Sequence, residues 1–180
     1  IFGHPSKADK IIKIAKKFKL KVIEDASEGL GSYFNGKHVG TFADIGTMSF
    51  NGNKIITTGG GGAILTNNIN IAKAIKHLSS TAKLPHRWEY NYDMIGYNYR
   101  LPNLNAALGC AQFNSIHKFI KAKRKLYLSY EKYFKNFQEA YIKKEPSKCI
   151  SNYWFQTLVL RKANINLRNV ILSELNKIGL

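Results

Sequence analysis

At 180 residues, 44% hydrophobic and 12% aromatic, the chain can bury a sizeable core, and its length suits one domain or one domain with part of another, which excludes a disordered segment. Twenty-eight Lys and Arg against 11 Asp and Glu give a formal charge of +17, but the lysines fall on polar faces of amphipathic helices and no helix-turn-helix, zinc-finger or RNA-binding signature accompanies them, so no nucleic acid is expected as partner. Cys110 and Cys149 form no CxxC pair, the five histidines show no ligand spacing, no run of about 18 apolar residues occurs and the opening IFGHPSKADK does not read as a secretory signal, so a reduced, cytoplasmic protein without metal or membrane span is expected.

Between Ser6 and Phe18 apolar residues recur at helical spacing, with Ser6 as the expected N-cap and Asp9 three residues on. A strand over Lys21 to Glu24 follows and delivers Glu24 and Asp25 at its carboxyl end, where open α/β sheets carry their functional groups. The stretch GSYFNGKHVGTFADIGTMSF predicts a loop, a hairpin turning at Asn35-Gly36 and a strand from Ile45 to Phe50. Ile55 to Thr58 and Ala63 to Thr66 read as extended pieces meeting at four glycines, Gly59 to Gly62. Helix is expected from about residue 70 to 80, loop rich in aromatics from 81 to 101, and one long helix from about 103 to 137. After Pro146, alternation from Trp154 to Leu160 predicts a strand, and residues 166 to 178 a last helix.

Three stretches carry residues suited to chemistry: Val22 to Glu28, Ser49 to Gly62, and Gly96-Tyr97-Asn98-Tyr99-Arg100. Taken singly they say little. An Asp at a strand end is often a cap or turn former, Tyr97 and Tyr99 read as packing residues, and most lysines are solvated. Lys54, however, is the one charged residue between Asp44 and Lys73, the sparse and Gly-packed setting that a covalent-catalysis lysine needs. The glycines follow Lys54 and so do not form a GxxxxGK[ST] phosphate loop; they are expected to allow positive φ or close backbone approach.

As a set, Asp25-Ala26-Ser27-Glu28, Ser49-Phe50 with Lys54 five residues after the serine, Thr57-Thr58-Gly59 with Gly61-Gly62, and Gly96-Tyr97-Asn98-Tyr99-Arg100 resemble the DegT/DnrJ/StrS family of sugar aminotransferases. The resemblance runs from Phe2-Gly3-His4-Pro5 to about Gln112 and more faintly to the end. It implies an α/β, fold type I aminotransferase: residues 1–120 would be part of a mainly parallel, incomplete large domain that binds pyridoxal phosphate. Residues 121–180 would be a linking helix and the start of a smaller α+β domain. It further implies a homodimer with sites at the interface, in which Asp25 pairs with the pyridine nitrogen, Ser49 binds the phosphate and Lys54 carries the cofactor. Glu28 falls near the cofactor's phenolic oxygen, and Asn98 is offered to the phosphate held in the neighbouring subunit. The activity implied is transfer of an amino group from L-glutamate to a nucleotide-linked keto sugar, in amino-sugar biosynthesis for a surface polysaccharide.

Departures from the family pattern bear on the branch. Gly59-Gly60-Gly61-Gly62 stands where Gly-Glu-Gly-Gly is common, and Asn51-Gly52-Asn53 where many members have His-Pro; both are similar to members that aminate UDP-linked 4-keto-6-deoxy sugars. Lys54 disfavours the lysine-free dehydratases. An upstream phosphate-binding turn and an aromatic ring stacked on the cofactor belong to the family but not to this stretch. Two readings stay open: part of a longer enzyme, or a catalytically inactive fragment acting only as a folded or associating module.

Overall fold

The computed structural model describes residues 1–179. Helix α1 (Ala8–Lys17) turns Ala8 and Ala15 inward and its lysines outward, and leads to β1 (Ile23–Asp25). Its N-cap is Lys7, without a side-chain cap bond; Ser6 stands one residue too early for the role expected of it. The hairpin of β2 (Tyr33–Phe34) and β3 (Lys37–His38) turns through Asn35 at φ 49° and Gly36 at φ 76°, the left-handed pair that a type I′ turn requires. The chain continues through β4 (Ile45–Ser49), β5 (Gly62–Leu65) and α2 (Ile69–Leu78), whose Asn68 caps the first turn by accepting the N–H groups of Asn70 and Ile71.

The single helix expected from 103 to 137 is two, α3 (Asn103–Phe113) and α4 (Ile116–Phe134). They part at Asn114-Ser115, so that Ile116 enters the core. Strands β6 (Ala140–Ile142), β7 (Cys149–Ile150) and β8 (Leu158–Leu160) and helix α5 (Ile165–Lys177) complete the described elements. The strand expected from Trp154 shrinks to β8, because Tyr153 takes φ 49° and Ser151 to Trp154 are held by side chains rather than by a ladder.

Strands β1, β4 and β5 form one sheet in that order, β1 parallel and β5 antiparallel to β4. A second sheet, β3-β2-β7, brings residues near 150 back onto the hairpin, and β6 pairs antiparallel with β8. Met48 on one face of β4 packs with Ala26 and Val39. The main cluster joins Ile55, Ile56, Ile116 and Trp154, with Phe2, Leu30 and Phe50 against it.

Candidate active site

Asp25 and Ser49 share a face and an edge of the sheet. Asp25 is in register with Thr47, and side chains alternate along a strand, so Asp25, Thr47 and Ser49 point to the side opposite the buried Gly46 and Met48. With strands about 4.8 Å apart and a rise of about 3.3 Å per residue, Asp25 and Ser49 lie roughly 8 Å apart along this edge. The Asp25 carboxylate accepts both the Ser27 hydroxyl (2.5 Å) and the Ser27 N–H (3.0 Å). These bonds hold its pKa below the ordinary 3.8 against the opposing effect of burial, and the Thr47 hydroxyl and the Lys54 ammonium add smaller contributions to the lowering. The ionised carboxylate borders a cleft of about 320 Å³ that Ser27 and Glu28 also line, and the Lys54 ammonium stands near enough for its charge to act on Asp25.

Lys54 is placed by a loop closed on Phe50. The Phe50 carbonyl accepts the Thr58 N–H (2.9 Å) and the Thr57 hydroxyl (3.0 Å), while the Phe50 N–H donates to the Gly61 carbonyl (2.9 Å). Inside the loop Ile55 and Ile56 enter the core; outside, Asn51, Gly52 and Asn53 are exposed. Two adjacent buried residues break the alternation of a strand, which is why Ile55 to Thr58 is not extended as expected. From α3, the Gln112 side chain accepts the Thr57 N–H and donates to the Thr57 carbonyl, both at 3.0 Å, and the Asn105 amide donates to the Thr58 carbonyl at 2.5 Å. The glycines behave as expected: Gly59 and Gly61 have positive φ, and a Cβ at Gly62 would lie 2.3 Å from the Met48 carbonyl oxygen.

The segment Ser151 to Trp154 clamps both loops from behind. Asn152, fully buried, donates from Nδ2 to the Glu28 carbonyl (2.8 Å) and the Leu30 carbonyl (2.9 Å), fixing the turn after Asp25. Trp154 donates from its indole nitrogen to the Asn53 carbonyl (2.6 Å), and the Lys54 ammonium sits 3.9 Å from its ring centroid. Sequence reasoning missed Asn152, Trp154, Asn105 and Gln112, since nothing in the order of residues shows that a stretch a hundred positions later returns to the lysine.

Asp25 and Ser49 thus share one face of the sheet, with Lys54 near enough for its charge to act on Asp25. Glu28 stands at the same cleft, its carboxylate accepting the Phe2 N–H at 2.5 Å. Asn98 is not part of that group: it lies on an exposed segment bound to the end of α2 through the pairing Ser80–Asn98 and the Tyr99 N–H to the Ser79 carbonyl (2.9 Å), flanked in sequence by Tyr97 and Tyr99, whose rings stack on each other. Among the described residues no cluster of His, Cys, Asp and Glu could hold a metal ion, and no helix is long and apolar enough to cross a membrane.

The donor set fits pyridoxal phosphate. The ionised Asp25 suits a protonated ring nitrogen, the Ser49 hydroxyl on the same face suits a phosphate, and the Lys54 amine suits an aldehyde.

Among curated proteins the chain is similar to the GDP-perosamine synthase of Escherichia coli O157:H7, at 39% identity over 177 residues, covering 97% of this chain and 48% of that protein. It is also 35% identical over 159 residues to the UDP-4-amino-4,6-dideoxy-N-acetyl-beta-L-altrosamine transaminase of Campylobacter jejuni, covering 87% of this chain and 42% of the relative. Among solved structures it superposes with a TM-score of 0.93 on Helicobacter pylori PseC, an aminotransferase involved in the biosynthesis of pseudoaminic acid, at 28% identity, covering 99% of this chain and 48% of that one. Spr1654 of Streptococcus pneumoniae, in its PLP form, shares the fold at 20% identity and a TM-score of 0.88, over 100% of this chain and 51% of that one. The chain spans about half the length of the curated relatives it matches. These likenesses identify the α/β fold as that of the fold type I aminotransferases, present here in part. With a family match over residues 1–180 on top of the shared fold, the chain belongs to the DegT/DnrJ/EryC1/StrS aminotransferase family.

Proposed function

We propose that this chain is the lysine-bearing part of an enzyme that transfers an amino group from L-glutamate to a nucleotide-linked keto sugar. The observation that supports the reading is the ionised Asp25 on the same face of the sheet as Ser49, with the Lys54 ammonium near enough for its charge to help lower the Asp25 pKa. Relatives named for GDP-linked and for UDP-linked sugars both match, which supports a nucleotide sugar as the substrate class. When bound, pyridoxal phosphate supplies an electron sink for the carbanion formed at the substrate carbon. Asp25 would keep a proton on the ring nitrogen, Ser49 Oγ would donate to the phosphate, and Lys54 Nζ would hold the cofactor and serve as general base and acid at the substrate carbon.

Glu28 would stand near the cofactor's phenolic oxygen, and Asn98, exposed beside Tyr97 and Tyr99, would be offered to the phosphate held in the second subunit of a homodimer. Residues 1–120 form part of the cofactor domain, and 121–180 begin the smaller one. A second reading, in which these residues alone make a folded or associating module, is favoured by the outer edges of β1 and β5, which pair with no strand among the described residues. Adding pyridoxal phosphate and trapping with borohydride separates the two. Modification at Lys54, located by peptide mass spectrometry, supports catalysis; modification spread over exposed lysines, or none, supports the module.

A further inference from the structure

We propose that Trp154 is the positioning residue for Lys54, its indole face holding the ammonium in a defined place until the lysine engages its reaction partner. The contact is a built one. Trp154 is 5% exposed, and its ring is fixed by the bond from its nitrogen to the Asn53 carbonyl (2.6 Å) and by stacking on Phe155 at 3.9 Å. Its backbone is fixed as well: the N–H donates to Asn152 Oδ1 (2.8 Å) and the carbonyl accepts the Lys123 ammonium (3.1 Å). The pinned carbonyl belongs to the residue just before the lysine, so ring and Lys54 backbone move as one unit. The amine can therefore leave the ring by side-chain rotation alone, without any shift of the loop.

The electron-rich indole face attracts the cation that rests 3.9 Å from its centroid, and so opposes its escape to solvent. A flexible four-carbon side chain that could sample many rotamers is thereby confined to one side of the loop, and its charge still reaches Asp25. Positioning of this kind matters for a group that has to serve as both covalent anchor and base.

Trp154 acts through the role given to Lys54 above. The test reads the amine itself without cofactor, so a failure of the Trp154 contact and a failure of the Lys54 assignment are told apart. The experiment is competitive acetylation of the cofactor-free protein with acetic anhydride, each lysine's rate being read by peptide mass spectrometry against the exposed Lys73. Trp154→Leu is expected to raise the Lys54 rate about three- to tenfold relative to Lys73, and Trp154→Phe, which keeps an aromatic face, is expected to restore most of the protection. Because the leucine variant also loosens the core, the deciding arm is biosynthetic replacement of tryptophan by tetrafluorotryptophan, which preserves shape while emptying the ring face of electron density. A Lys54 to Lys73 ratio that rises on fluorination sustains the assignment. A ratio that stays unchanged on fluorination, or a phenylalanine variant as reactive as the leucine one, overturns it.

Discussion

Replacing Asn152 by leucine removes the polar contacts that hold the turn after Asp25 while keeping the branching and the number of side-chain heavy atoms. The native side chain makes three hydrogen bonds, to the Glu28 and Leu30 carbonyls at 2.8 and 2.9 Å and from the Trp154 N–H at 2.8 Å, and it is fully buried. Leucine leaves all three partners in place without room for water to replace the amide. Each buried group left unpaired costs about 1–3 kcal/mol, so with three of them the variant is expected to lose roughly 3–9 kcal/mol. Alanine, which leaves space for a bridging water, is expected to lose less, about 2–3 kcal/mol. The assay is urea unfolding followed by far-ultraviolet circular dichroism, with the slope checked so that the midpoint shift reports stability. A loss below about 1 kcal/mol in Asn152→Leu would refute the reasoning, since three unpaired buried groups cannot cost so little.

Other substitutions address the charges and the reaction. Ser27→Ala, by removing the hydroxyl that contributes most to lowering the Asp25 pKa, is expected to move that carboxyl toward its ordinary 3.8, read as an upward shift in an NMR titration. The sign for stability follows from the depressed folded-state value: the Asp25 contribution is present above pH 3.8 and is lost as pH falls through the lower folded-state value, so the native protein should lose a small increment there that Ser27→Ala lacks. Arg124→Met breaks the paired bonds to Glu145 at 2.8 and 2.9 Å in a partly buried site and is expected to lower stability by about 1–3 kcal/mol in the same urea assay, little affected by salt. In the complete enzyme Lys54→Ala should abolish transamination while leaving the circular dichroism spectrum intact, and Asp25→Asn should bind pyridoxal phosphate yet lose turnover by orders of magnitude; a few per cent of residual turnover in the first, or near-normal rates in the second, would contradict the roles given to them.

What the sequence makes legible is local. Asn35-Gly36 specifies its turn by the two positive φ values it tolerates, and β4 follows from alternation, whereas the start of α2 at Ile69 is set by the Asn68 cap that the structure reveals. The grouping of Asp25, Ser49 and Lys54 follows from strand ends and from the family resemblance. The break at Asn114-Ser115 does not, because both sides are good helix formers and only the need to bury Ile116 against Ile55 and Trp154 decides it. Trp154 is hidden for a related reason. Its alternating neighbours resemble a strand, whereas the turn at Tyr153 that aims it at Lys54 depends on hydrogen bonds to residues more than a hundred positions away. Glu28 is legible as a residue of the cleft, but its bond to the Phe2 N–H comes from how the first residues lie across the hairpin.

The return of residues 151–154 also fixes when the site can form. Ser151 donates its hydroxyl to the Gly3 carbonyl across 148 residues, Asn152 N–H bonds Ser32 Oγ across 120, and Trp154 reaches Asn53 across 101. Such pairings close large loops before they add any contact energy, so they come late in folding. The β2–β3 hairpin and α1 use only near neighbours and can form while the chain is still being synthesised. The Lys54 loop, by contrast, lacks its rear wall until residue 154 has emerged from the ribosome, and the lysine and Asp25 are locked in place together, in one late step.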